Sequence, residues 1–143
     1  MILLSSALEL VIKIIMSNLI IDAAKDKIFL THIVNKNIYT CSHENSKINF
    51  EKLMILIGEF LKNYKCSLDD INAIYVNRGP GSFAGIRNSL STIKALFLTR
   101  QIDYYCFSFE DFKESQTTKY VDVPQLCKKY RIKKNLINPI YLS

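Results

Sequence analysis

Asn77-Arg78-Gly79-Pro80-Gly81-Ser82-Phe83-Ala84-Gly85-Ile86-Arg87 is the stretch on which the reading of this fold turns. It follows a short apolar run, Ala73-Ile74-Tyr75-Val76, suited to a buried strand, and leads into a segment with Ile86, Leu90, Ile93 and Phe97 on one helical face. Glycines between a strand and a helix bring backbone amides to a helix N-terminus, where an anion can be cradled. A P-loop needs Lys and Ser or Thr after its last glycine; Ile86 and Arg87 stand there, so that reading fails. The strict G-x-G-x-x-G pattern fails at Ala84. Its looser form, which admits Ala, is met, but Ser108 follows the next strand where an acid is wanted. Two readings stand: a weak phosphate site, and a rigid turn in which glycines permit close approach, Pro80 fixes φ and Ser82 caps the helix.

Upstream, Leu19-Ile20-Ile21, Ile28-Phe29-Leu30-Thr31-His32-Ile33-Val34 and Ile38-Tyr39-Thr40-Cys41 read as strands, separated by the polar turns Ala24-Lys25-Asp26 and Asn35-Lys36-Asn37. A helix is expected where Phe50, Leu53, Met54, Ile57, Phe60, Leu61 and Tyr64 recur at intervals of three and four, with Ser46 or Asn49 as its cap. Ile55 and Leu56 lie off that stripe and widen its apolar face, which fits either deeper burial or a surface offered to another helix. Ser67-Leu68-Asp69-Asp70 reads as a short capped turn. Downstream, Tyr104-Tyr105-Cys106-Phe107 is a further strand, and Ser108 with Asp111 marks the start of a last helix. A meander followed by βαβ crossovers predicts an α/β fold: a mixed five-strand sheet with helices, the layout of a ribonuclease-H-like lobe. The chain thus divides into residues 1–15, an extension; residues 16–112, the lobe; and residues 113–143, a polar stretch and basic tail standing where a second lobe would be.

The 143 residues, 49% of them hydrophobic, suffice for one domain with a core and not for two full ones. Nineteen Lys and Arg against thirteen Asp and Glu give a net charge of +6, which attracts a polyanion such as tRNA or is simply a solvated basic surface. The basic run Lys128, Lys129, Arg131, Lys133 and Lys134 has only Tyr130 as an interleaved aromatic, which is thin support for a stacking platform. Cys41, Cys66, Cys106 and Cys127 form no CxxC pair, and His32 and His43 fall in no helical metal pattern; reduced thiols in a cytoplasmic protein are the expectation, with no metal site. Met1 to Ile15 is apolar but carries Glu9 and Lys13 and has no basic region before it, which argues against a signal peptide and a membrane span. No paired carboxylates, Ser-His-Asp set or Cys-His arrangement emerges from the spacing, so no catalytic residue is named.

The eleven-residue string, with Leu90 and Lys94 beyond it, resembles the signature G-R-G-P-G-S-F-T-G-[LIV]-R of the TsaB family, also called YeaZ, in nine of eleven positions. Leu19-Ile20-Ile21-Asp22 is similar to the family's opening strand I-L-x-I-D-T, and Ser67 to Ile74 to its L-x-D-L-D-x-I-A segment. Phe107-Ser108-Phe109-Glu110 fits V-S-S-L-E, and Pro139-Ile140-Tyr141-Leu142 looks like the P-V-Y-L-R near the family's C-terminus. Asn77 and Ala84 depart from Gly and Thr, and Ala23-Ala24-Lys25 replaces T-S-T.

That resemblance implies one lobe of the actin-like and Hsp70-like ATPase fold. It also implies a non-catalytic partner of a TsaD-like catalytic subunit and a TsaE-like ATPase, which together form N6-threonylcarbamoyladenosine beside the anticodon of tRNAs reading ANN codons. ATP and metal would belong to those partners and no cofactor to this chain, with Asp22 the weak candidate for a cofactor contact; tRNA would be met through the complex, a homodimer is possible and no membrane is involved. Partner contact is expected from Arg78, Gly79, Pro80, Gly81, Ser82, Phe83, Gly85 and Arg87 of the loop and from Ile55 and Leu56 of the first helix. Arg78 and Arg87 are costly to bury alone, so one of them should meet a partner or an acid of this chain. Two alternatives stay open: a stand-alone phosphate- or nucleotide-binding protein, and a direct RNA-binding protein using the basic tail.

Overall fold

The computed structural model describes residues 16–141; the expected extension 1–15 and Leu142 of the C-terminal match lie outside the described residues. Five strands, β1 (Ser17–Asp22), β2 (Lys27–Val34), β3 (Asn37–Glu44), β4 (Ala73–Asn77) and β5 (Asp103–Phe107), form one sheet in the order β3-β2-β1-β4-β5. β1, β2 and β3 are an antiparallel meander, while β4 and β5 run parallel to β1. Asn35, in the turn between β2 and β3, takes a left-handed φ of 54°, a conformation Asn tolerates better than most residues. Central β1 is buried on both faces and reads as a continuous apolar run, whereas edge strand β3 alternates with solvent.

The spacing predicts one helix after the meander. Two form: α1 (Lys47–Glu51) and α2 (Leu53–Lys62), parted at Lys52, whose ψ of 9° leaves the helical region while Phe50 and Leu53 on either side stay buried. Ser46 is the cap, its Oγ accepting the Asn49 amide at 3.2 Å. α3 (Phe83–Arg100) begins at Ser82, whose Oγ accepts the Gly85 amide, and ends on Gln101 in the left-handed region. These helices cover one sheet face, and Leu19, Ile21, Leu30, Ile57, Leu61, Ile74, Val76, Ile86 and Ile93 form the core between. Each such side chain contributes about 1.5–3 kcal/mol by leaving water.

The helix expected at Ser108 is a single 3₁₀ turn, Phe109–Asp111, closed by a capping box in which the Asp111 carboxylate accepts the Ser108 amide. A second 3₁₀ turn, Tyr120–Asp122, leads into α4 (Val123–Lys129), which begins with Pro124 in its first turn. No periodic signal in the sequence predicts α4. This C-terminal segment lies on the other sheet face, where Phe112, Val123 and Cys127 pack against Ile20, Tyr75 and Phe107 in a second cluster.

Candidate functional site

The carboxyl ends of parallel strands in an open α/β sheet are where ligands usually bind, and here Asp22 of β1 and Asn77 of β4 sit side by side at that edge. Asp22 is fully buried. Its Oδ1 accepts the Ala24 amide at 3.1 Å and the Asn77 Nδ2 at 3.1 Å; its Oδ2 accepts the Tyr120 hydroxyl at 2.6 Å, with Lys25 Nζ at 3.6 Å. The Lys25 ammonium also lies over the rings of Phe109 and Tyr120, at 4.7 and 5.3 Å from their centroids. Burial, with the Asp22 carboxylate beside it, pushes the Tyr120 phenol far above its ordinary range. Tyr120 therefore stays a donor, and the acceptors of Asp22 are taken up within the chain. The contact from Ala24 is the Asx-turn geometry expected of an Asp that ends a strand.

Asn77, a mild departure from the signature, has a structural use. Its Nδ2 donates to Asp22 while its Oδ1 accepts the Gly79 amide at 2.9 Å, tying β1 to the loop. The glycines serve close approach. A Cβ on Gly81 would overlap the Ala24 carbonyl, one on Gly85 the Ala23 carbonyl, and one on Gly79, at φ 109°, the Ile140 carbonyl. Four amides of the loop are already spent: Arg78 N–H on Phe107 O, Gly79 N–H on Asn77, Ser82 N–H on Ala24 O and Gly85 N–H on Ser82 Oγ. The loop is thus built as a rigid turn wedged between β1 and α3. The phosphate reading loses these donors.

The expected contact residues separate into two sets. Gly79 and Gly85 are buried, and so is Leu56, which turns into the core beside Ile57 instead of widening an exposed face. This corrects the expectation for Leu56: its neighbour Ile55 takes the outward position, 58% exposed. Arg78 is largely buried, its Nη2 on Asp111 Oδ1 at 2.7 Å and its Nη1 on the Asn138 carbonyl at 3.2 Å; the acid of this chain is the partner it takes. Pro80, Gly81 and Ser82 are half-buried, whereas Phe83 and Arg87 are exposed on the first turns of α3. Ile48, Met54, Ile55 and Phe83 all present apolar surface on the helical side. A groove of about 340 Å³ between α1 and α3 is lined by Lys47, Phe50, Glu51, Ala84 and Asn88.

Sequence reasoning misses three site residues, Tyr120, Asp111 and Ile140, each supplied by the chain after β5. The Ile140 amide donates to the Arg78 carbonyl at 2.7 Å, and Tyr141 packs on Phe83 with ring centroids 4.7 Å apart. Of the tail's cations, Lys129 pairs with Glu114 at 2.8 Å and Lys134 lies 3.6 Å from Asp103. Among the described residues no group of three or more His, Cys, Asp or Glu side chains is placed to hold a metal ion, and no helix is long and apolar enough to cross a membrane.

Comparison with known proteins bears on this arrangement. A family model described as TsaD, tRNA N6-adenosine threonylcarbamoyltransferase, matches residues 43–108, from the end of β3 to the end of β5. The tRNA threonylcarbamoyladenosine biosynthesis protein TsaB of Buchnera aphidicola subsp. Schizaphis graminum is 33% identical over 90 residues, covering 63% of this chain and 43% of that protein. TsaB of Escherichia coli K12 is 30% identical over 69 residues, covering 48% and 28%. A solved structure, YeaZ from Pseudomonas aeruginosa, superposes with a TM-score of 0.60 at 18% identity, covering 65% of this chain and 44% of that one, and shows the fold. This chain therefore spans less than half the length of the curated relatives it matches. In its five-stranded sheet and its Gly79–Gly85 turn, the chain is similar to the TsaB (YeaZ) proteins over part of their length.

Proposed function

We propose that this chain is a non-catalytic binding subunit of the assembly that forms N6-threonylcarbamoyladenosine beside the anticodon of tRNAs reading ANN codons. In this reading it docks on a TsaD-like threonylcarbamoyltransferase subunit through α2 and the start of α3, a TsaE-like ATPase joins the assembly, and ATP and metal are held by those partners. The observation that carries it is the pairing of a filled strand-end site with an apolar helical surface. Asp22 has its acceptors occupied by Tyr120, Asn77 and Ala24, while Ile55 and Phe83 stay 58% and 56% exposed and Ile48 and Met54 are exposed on the same helices.

Large apolar side chains left exposed on helices suit a protein contact. Ile55 and Phe83 are already over two-fifths covered, so burying the rest is worth about 1–2 kcal/mol each. The net charge of +6 favours an assembly that handles tRNA. The histidines also favour a binding role, since His32 and His43 lie on neighbouring strands and not as a helical pair.

Co-expression with the threonylcarbamoyltransferase subunit of the same genome, followed by size-exclusion chromatography, tests the reading. A co-eluting heteromer that is lost in Ile55→Asp supports it. Separate elution of the two chains, or elution of this chain only as a homodimer, removes it.

A further inference from the structure

From Val123 to Tyr141 the chain carries five cations and no acid. Two of them are neutralised by acids from elsewhere, Lys129 by Glu114 and Lys134 by Asp103. The other three, Lys128, Arg131 and Lys133, are exposed, and among the described residues none has a carboxylate within ion-pair distance. They lie on concave ground. Lys128 and Arg131 share one groove with Asn18 and Gln125, while Arg131 and Lys133 line a smaller cleft of about 170 Å³ with Asn138. Arg131 belongs to both, so the three cations form one row. The acid of the smaller cleft, Asp111, is already held by Arg78 at 2.7 Å. Clefts lined by one sign of charge focus their field and concentrate ligands of the opposite sign.

The backbone under this row is fixed. Arg131, at a left-handed φ of 54°, ends α4 in a Schellman turn: the Ile132 amide donates to the Cys127 carbonyl at 2.9 Å and the Arg131 amide to the Lys128 carbonyl at 3.2 Å. Two residues past Lys133, the Asn135 amide donates to the Tyr104 carbonyl at 2.8 Å and pins the segment to β5. A lone phosphate ion cannot reach three cations set along two clefts, whereas a chain of phosphodiesters can. Asn18, Gln125 and Asn138 add the amide groups that accompany Lys and Arg at nucleic-acid backbones. We propose that Lys128, Arg131 and Lys133 bind the phosphodiester backbone of RNA directly. α4 packs on the sheet face opposite α2 and α3, so this assignment does not depend on the docking reading.

Fluorescence anisotropy of a labelled oligouridylate, titrated with the full chain over a range of salt concentrations, tests this. Combining Lys128→Gln, Arg131→Gln and Lys133→Gln should weaken binding roughly tenfold and flatten the slope of log affinity against log salt by about 2, at about 0.7 per lost phosphate contact. The three side chains are exposed, so the circular dichroism of the fold should persist. A control that removes the same charge elsewhere, with Lys27→Gln, Lys47→Gln and Lys62→Gln, should bind RNA nearly as well as the parent chain. Inorganic phosphate at matched ionic strength should not displace the RNA. The proposal is overturned if the RNA does not bind, if both triple variants weaken it equally, or if neither does. It is also overturned if inorganic phosphate displaces the RNA as fully as unlabelled oligouridylate, or if phosphatidylserine vesicles bind where the RNA does not.

Discussion

The Tyr120 hydroxyl donates to Asp22 Oδ2 at 2.6 Å across 98 positions of sequence, joining the C-terminal segment to the end of the first strand. Loss of that donor leaves one oxygen of a fully buried carboxylate with only Lys25 nearby, at 3.6 Å. Tyr120→Phe should therefore destabilise the chain by about 1–3 kcal/mol, the cost of an unmet buried acceptor. Urea unfolding at pH 7 measures it. Lys25→Met should cost less, since Lys25 is half exposed.

Stability should fall on the alkaline side. Burial raises Tyr75 from 10.0 to about 12 and Cys106 and Cys127 from 9.0 to about 12. The folded state thus holds these protons more tightly than the unfolded chain, which releases them first as pH rises. Their contribution is complete below pH 9 and is lost progressively up to about pH 12. His32 sets the acid side: burial lowers it from 6.5, so the unfolded chain takes up its proton first and stability declines as pH falls below 6.5. Urea midpoints measured from mildly acid to strongly alkaline pH should trace both slopes, and His32→Gln should flatten the acid one.

Gly85 and Gly58, both helical, should answer the same substitution with opposite signs. Gly85→Ala forces a methyl against the Ala23 carbonyl, a backbone atom that cannot turn aside, and should cost roughly 1–3 kcal/mol or more. Gly58 lies in α2 with open space where a methyl would stand, so Gly58→Ala should stabilise by up to about 1 kcal/mol. Thermal midpoints of the two variants provide the comparison.

Arg78 holds the end of the chain as well as Asp111. Arg78→Gln removes the charge partner of a carboxylate that is only 20% exposed, and the contact with the Asn138 carbonyl goes with it. A loss of about 1–3 kcal/mol is expected. Hydrogen exchange at the Ile140 amide, which donates to the Arg78 carbonyl, should speed up with it.

Local signals in the sequence are enough for the strands and for the turn. Runs of branched and aromatic residues separated by polar turns locate the three-strand meander, and Ser82 at the head of an apolar stripe marks α3. The break at Lys52 is hidden, because Phe50 and Leu53 keep helical spacing across it. α4 is hidden for another reason. Phe112, Tyr120, Val123, Cys127 and Tyr130 reach the second face from two 3₁₀ turns and a seven-residue helix, so no single period links them. Asp22 is visible as a strand-end acid, whereas Tyr120 is not, since no local rule pairs residues so far apart. Leu56 and Ile55 show the limit on a helix face: adjacent apolar residues off the main stripe look alike in sequence, and only packing decides which turns inward.

Reconstituted tRNA modification tests the central claim most directly. Unmodified tRNA would be incubated with the threonylcarbamoyltransferase subunit, the ATPase, threonylcarbamoyl-AMP and ATP, with and without this chain, and threonylcarbamoyladenosine measured by nucleoside mass spectrometry. The expected result is product that depends on the chain, is lost with Ile55→Asp and persists with the exposed-site control Lys36→Ala. Equal product without the chain would contradict the account.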